Sequence, residues 1–288
     1  MFASVEELES RLASQRYLAD RPLATTVYLA CRLRKPLLVE GPAGVGKTEL
    51  AKVLAAATGS RLVRLQCYEG LDEAKSLYEW NYQKQLLRIQ ANHLSDKSWE
   101  EMKEDIFTFD FLFARPLLTA LLSEEPVVLL IDEVDKSDEE FESFLLEALS
   151  DFQVTIPELG TVKAARIPLV VLTSNSFREF SDALKRRCIH LFIGYPDYDR
   201  ELAIINMKVP GIGEALARQL VEFVQAVRKQ KLRKAPSIAE SLDWAQSLVM
   251  LGVGGLNEDT VTSTLTVLLK YQSDVEKVQA KIKSLLPG

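Results

Sequence analysis

Residues 41–48 read GPAGVGKT and match the pattern G-x-x-x-x-G-K-[ST]. No other stretch constrains the fold as tightly, because this one requires a strand before it and a helix after it. PLLVE, residues 36–40, is a short apolar run that stops at a glycine, as a buried parallel strand does. ELAKVLAAAT, residues 49–58, is rich in strong helix formers and ends at Gly59. Gly41, Gly44 and Gly46 let backbone N–H groups wrap a phosphate closely, and the helix start adds its positive dipole end. Lys47 supplies a mobile cation for the β- and γ-phosphates, and Thr48 supplies a hydroxyl for Mg²⁺. The expected nucleotide-binding set is Gly41, Pro42, Ala43, Gly44, Val45, Gly46, Lys47 and Thr48, with Glu49 beside it; ATP and Mg²⁺ are the expected ligands.

The chain around this motif reads as α/β. RLVRLQ (61–66), VVLLI (127–131), LVVL (169–172) and IHLFI (189–193) are further strand candidates, most of them separated by helical stretches. With residues 36–40 they predict a parallel five-stranded core sheet. Residues 152–166 read as a hairpin with Pro157 and Gly160 near its turn, and residues 92–104 as an exposed polar loop. Val5 to Leu12 and Leu23 to Leu33 have helical apolar spacing. GYPDYD at 194–199 breaks both strand and helix, and only helical patterns follow, the last running unbroken from residue 257 to 282. The expected division is a nucleotide-binding α/β domain over 1–194 and a smaller all-helical lid over 195–288.

Three further motifs carry polar groups at strand ends or beside them. VVLLIDEVD ends a buried strand in Asp132 and Glu133. Ligands of open α/β sheets sit beyond the carboxyl ends of the strands, where Asp132 can hold Mg²⁺ and Glu133 can orient or activate the attacking water. Read alone, the pair also fits a solvated helix cap; together with the glycine loop the functional reading is preferred. Asn175, in VVLTSN, can contact the γ-phosphate or the water, and equally fits a turn residue. Lys185, Arg186 and Arg187, in DALKRRC, fit a solvated basic turn or an arginine finger that stabilises charge on a neighbour's nucleotide.

The order GPAGVGKT, LLIDEVD, LTSN, DALKRRC resembles that of an AAA+ ATPase. FLLEALSDFQVTIPELG and the later GYP resemble the helix and pre-sensor hairpin of the MoxR group within that superfamily. LQCYEGLDEAKSLYEWNYQKQLLRIQ and RKAPSIAESLDWAQSLV are similar to the CoxD-like subgroup, associated with maturation of molybdenum carbon monoxide dehydrogenase. The similarity spans most of residues 35–248. It implies a homo-oligomeric ring, a hexamer in that group's usual form, with Asn175 as sensor one and Arg187, then Arg186, as the finger. It also implies a chaperone-like remodelling or metalloenzyme-maturation role, a protein client, and a partner carrying a von Willebrand factor A domain. One departure stands out: where MoxR relatives have an arginine in a lid SPR motif, this chain has Ala235-Pro236-Ser237, leaving Arg233 or Lys234 as substitutes.

Composition weighs against several other classes. A net charge of -6 and a pI near 5.3 argue against nucleic acid and anionic lipid as partners, despite the basic run RKQKLRK at 228–234. Cys31, Cys67 and Cys188 form no CxxC pair, and two histidines offer no zinc spacing, so buried thiols in a reducing compartment are expected. The start lacks an apolar signal region and no apolar run spans a bilayer, which predicts a cytoplasmic protein without a membrane partner. Tyr78, Trp80 and Tyr82 alternate as an aromatic strand face, read as packing. Two rivals to the remodeller stay open: a nucleic-acid-stimulated NTPase, and a nucleotide-gated scaffold with little hydrolysis.

Overall fold

The computed structural model describes residues 2–92 and 99–286. Five strands form the central sheet: β1 (Leu37–Glu40), β2 (Arg61–Gln66), β3 (Val127–Asp132), β4 (Leu169–Ser174) and β5 (Ile189–Phe192), in the spatial order β2-β3-β4-β1-β5. The pairs β2–β3, β3–β4 and β4–β1 are parallel. All six residues of β3 are buried, as a strand covered on both faces requires. Edge strand β2 alternates instead: Val63 and Leu65 are buried, while Arg64 and Gln66 are exposed. Register decides where the polar strand ends fall. Gln66 is opposite Asp132, Ile131 opposite Leu172, and Glu40 opposite Ser174, so these strands finish together at one carboxyl edge.

Three helices matter most for that edge: α1 (Lys47–Thr58), α2 (Glu139–Ser150) and α3 (Asp182–Arg187). Asp138 caps α2 by accepting from the Phe141 backbone N–H at 2.9 Å. The expected hairpin is present between Gln153–Ile156 and Gly160–Lys163, with Gly160 at φ +79° just after the turn.

The chain forms two compact units. One comprises 1–8, 21–40 and 51–191; the other comprises 9–20, 41–50 and 192–288. The core of the first gathers Leu129, Ile131 and Leu172 from the sheet with Phe141 and Leu145 of α2 and Leu184 of α3. The core of the second is built by α4 (Tyr198–Lys208), α5 (Glu214–Arg228), α6 (Ile238–Met250), α7 (Glu258–Leu268) and α8 (Gln272–Gln279). Trp244 of α6 is fully buried there, 5.4 Å from the Phe223 ring, and donates from Nε1 to Thr264 Oγ1 at 2.8 Å.

Three sequence readings need correction. Residues 92–104 are not all loop: Trp99–Ile106 is a helix, because Trp99, Met102 and Ile106 recur at helical spacing among the glutamates. Residues 93–98 of that stretch lie outside the described residues. The aromatic alternation stops at Trp80, since Tyr78–Trp80 pairs with Leu112–Ala114 and Tyr82 opens the helix Tyr82–Asn92. Trp80 does pack, edge-on to Phe107 at 5.1 Å. Finally, the last helical stretch is broken, with Leu269 and Tyr271 extended. The break lets Val275 and Val278 fold back onto the core that holds Val261 and Leu265. Among the described residues no helix is long and apolar enough to cross a membrane.

Candidate functional site

The glycine loop belongs to the second unit. Gly41, Gly44 and Gly46 all have positive φ, at +149°, +77° and +97°. Two of them also have no room for a side chain. A Cβ on Gly41 would lie 2.0 Å from the Ile193 carbonyl oxygen, and one on Gly44 would lie 2.2 Å from Ser237 Oγ. Lys47, 6% exposed, turns its ammonium inward and donates to the Gly41 and Pro42 carbonyls at 2.7 Å each. Thr48 follows it in the first turn of α1, half-buried, and Glu49 pairs with Lys208 of α4 at 3.3 Å. Ala43 is exposed and Val45 buried.

The start of α6 rests on this loop. Ala239 N–H donates to the Gly44 carbonyl at 3.2 Å, and Ser237 forms a capping box with Glu240. Burial acts to raise the Glu240 carboxyl, but hydrogen bonds from Ser237 and Lys234 outweigh it and hold it below the ordinary range. The substitutes considered for the missing lid arginine are engaged elsewhere. Arg233 stacks 4.1 Å over Tyr271, and Lys234 pairs with Glu240 at 3.0 Å. Ser237 is the residue that meets Gly44.

The acidic strand end belongs to the first unit. Asp132 is 2% exposed. Its Oδ1 accepts from Thr173 Oγ1 at 2.6 Å, and its Oδ2 from Arg64 Nε at 3.0 Å and Nη2 at 2.6 Å. Glu133 takes a left-handed backbone, φ +57°, and its N–H donates to Thr173 Oγ1 at 2.9 Å. One hydroxyl on β4 therefore orders both acidic residues. The Glu133 carboxylate accepts from Gln66 at 2.8 Å, Lys136 at 2.6 Å and Asn175 Nδ2 at 3.3 Å. Asp135, also buried, accepts from the Asn175 and Phe177 backbone N–H groups at 3.0 and 3.1 Å. The chain between them passes through Ser176 at φ +61°. Burial pushes the neighbouring Cys67 thiol up to about 12, helped by Asp132, Asp135 and Glu133.

Glu133 and Asn175 are thus brought together. In α3, Arg187 donates from Nε to Ser150 Oγ at 2.7 Å and from Nη1 to the Ala183 carbonyl at 3.2 Å. Thr173 and Asp135 lie inside motifs the sequence displays, LTSN and DEVD, and could have been found there. Arg64, Gln66 and Ser237 carry no signal until β2 meets β3 and α6 meets the loop.

The profile of the AAA domain, dynein-related subfamily, matches residues 36–188, more than half of the chain. The chain belongs to that AAA family. The uncharacterized protein SH1500 of Staphylococcus haemolyticus is 26% identical, over 81% of this chain and 85% of that one. The gas vesicle ATPase GvpN of Ancylobacter aquaticus is 26% identical over 76% of this chain and 62% of its own. Among solved structures, a point mutant of Thermotoga maritima RuvB has a TM-score of 0.51 at 19% identity, covering 98% of this AAA chain and 77% of that one. That likeness is one of fold: the parallel five-stranded sheet with flanking helices and a helical lid.

Proposed function

We propose that the chain is a Mg²⁺-ATP-dependent AAA+ ATPase of the MoxR type. It works as a homo-oligomeric, hexameric ring that remodels a protein client or matures a metalloenzyme. The observation that carries the reading is the ordered acidic edge: Thr173 aligns Asp132 with Glu133, and Asn175 holds the Glu133 carboxylate. The chain leaves β1 for the glycine loop at Glu40, at that same carboxyl edge.

The roles follow from the side chains. Backbone N–H groups of residues 41–48 and the Lys47 ammonium bind the phosphates. Inside the loop that ammonium is now held by two carbonyls, which phosphate oxygens would replace. Thr48 and Asp132 offer hard oxygen donors, which suit Mg²⁺ carried in on phosphates. When bound, the ion supplies charge neutralisation at the β- and γ-phosphates. Glu133 orients the attacking water and accepts its proton, while Asn175 keeps the carboxylate in place. Arg187, or Arg186 beside it, reaches a neighbour's nucleotide from α3.

The MoxR assignment rests on the hairpin between β3 and β4 and on the GYP segment; the CoxD-like subgroup, carbon monoxide dehydrogenase as the matured enzyme and a von Willebrand factor A partner rest on the further stretches quoted above. The relative's name, gas vesicle ATPase, supports hydrolysis. The division into a nucleotide-binding part, 1–194, and a lid, 195–288, belongs to the same proposal.

A second reading, a nucleotide-gated scaffold with little hydrolysis, is favoured by the serine that meets Gly44 in place of the usual lid arginine. ATP turnover of the purified chain, with Glu133→Gln alongside, separates the two. Mg²⁺-dependent turnover that Glu133→Gln abolishes while ATP binding persists supports the ATPase. Tight ATP binding without turnover, with or without a von Willebrand factor A partner, would replace it with the scaffold.

A further inference from the structure

The helix that bears Arg186 and Arg187 is only six residues long, and Leu184 is its one fully buried side chain. A helix this short does not hold itself together in water. Its position must come from what it is fastened to, and it is fastened to α2 at both ends.

At the far end, Arg187 Nε donates to the hydroxyl of Ser150, the last residue of α2. At the near end stands Glu142, on the first turn of α2. Its neighbours Glu139 and Glu140 are exposed, whereas Glu142 is turned inward and 4% exposed. A carboxylate is not buried without donors to meet it. Three meet this one: Arg178 Nη1 at 2.7 Å, the Ser181 N–H at 2.8 Å and the Ser181 hydroxyl at 2.5 Å. Burial acts to raise its carboxyl, and the Ser181 and Arg178 hydrogen bonds overcome that and hold it below the ordinary range.

Ser181 is the N-cap of α3. Its hydroxyl accepts from the Leu184 N–H at 3.3 Å while donating to Glu142, and its carbonyl accepts from the Lys185 N–H at 3.1 Å. The carboxylate, the cap and the first turn are therefore one continuous chain of hydrogen bonds. Arg178, the other arm, lies 5.0 Å over the buried Phe180 ring, just ahead of the cap.

We propose that Glu142 is a positioning residue for the arginine-bearing helix: by clamping Ser181 it sets where Arg186 and Arg187 project toward a neighbouring subunit. This rests on the reading of α3 as a finger acting in trans.

The test uses the full chain and trans-complementation. In a ring of head-to-tail interfaces each nucleotide meets one neighbour's α3. A Glu142→Ala subunit keeps its own Glu133 and loses its finger position; a Glu133→Gln subunit does the reverse. Each alone should turn over ATP at least about tenfold more slowly than the parent. Both should bind a fluorescent ATP analogue as the parent does. Mixed in equal amounts, they should recover about a quarter of parental turnover, because one interface in four pairs a good site with a good finger. The reference mixture is Arg186→Ala/Arg187→Ala with Glu133→Gln. Recovery in both mixtures supports the proposal, and Glu142→Gln, which keeps an acceptor, should fall between parent and Glu142→Ala. Recovery in the reference mixture alone overturns the role of Glu142 and leaves the finger standing. Recovery in neither overturns the trans finger itself. Should Glu142→Ala fail to bind the analogue, Ser181→Ala, at an exposed position, takes its place with the same expectations. Parental turnover by Ser181→Ala would overturn the clamp.

Discussion

Replacing Arg228 with methionine should destabilise the helical unit by about 3–5 kcal/mol, the usual cost of stripping one partner from a buried ion pair. Arg228 on α5 and Glu201 on α4 are 8% and 0% exposed in their side chains. They meet through two parallel bonds, Nη1 to Oε2 at 2.5 Å and Nη2 to Oε1 at 2.7 Å. Ser241 and Gln225 each add a donor to the carboxylate at 2.8 Å. Without Arg228 the charge keeps only these two neutral donors, and most of the penalty is desolvation that nothing offsets. Smaller losses come from the Nε bond to the Pro236 carbonyl at 2.7 Å, worth about 1 kcal/mol, and the stacking on Tyr195 at 5.1 Å, worth about 0.5–1 kcal/mol. Adding Glu201→Leu removes the stranded charge, so the double variant should sit within about 1–2 kcal/mol of the parent. Urea unfolding gives the totals. Hydrogen exchange of peptides from Glu214–Arg228 and Ile238–Met250 localises them to this unit. If Arg228→Met costs less than about 1 kcal/mol, or if the two substitutions simply add, the buried pair is not what joins α4 to α5 and α6.

Two other outcomes are expected. Gly44→Val should weaken binding of a fluorescent ATP analogue by about tenfold or more, since the left-handed backbone alone costs a side chain about 1–2 kcal/mol. Its Cβ would also fall 2.2 Å from Ser237 Oγ; unchanged binding would show that the loop tolerates what its geometry forbids. The three thiols, all buried and pushed up to about 11 for Cys31 and about 12 for Cys67 and Cys188, should resist iodoacetamide at pH 8 until urea is added. From their ordinary value of 9.0 upward the unfolded chain releases protons that the folded chain keeps, so stability is full below that pH and falls as pH rises toward 11–12. The slope is at most about 1.4 kcal/mol per pH unit per thiol, and substituting Cys67 with alanine should flatten it.

The features legible in the sequence are those in which neighbouring residues share one job. A glycine loop between a strand and a helix is local, so residues 41–48 could be read without knowing what surrounds them. Buried parallel strands are continuous apolar runs, which marked β1, β3 and β4, while the edge strands β2 and β5 alternate with polar residues. Asp132 and Glu133 were legible because they end such a run, and Asn175 for the same reason.

What the tertiary structure decided lies between residues far apart. Arg64 reaches Asp132 across 68 positions only because β2 and β3 pair with Gln66 opposite Asp132. Glu142 looks like its exposed neighbours Glu139 and Glu140, and only the packing of α2 turns it toward Ser181. That Ser237 and not an arginine follows Pro236 was legible, but that Ser237 meets Gly44 was not, because nothing local says where α6 begins relative to the loop. Short elements such as α3 and Tyr78–Trp80 have no stability of their own, so their place is set by partners the linear chain does not adjoin. Local chemistry named the candidate groups; long-range pairing and burial decided which charges face them.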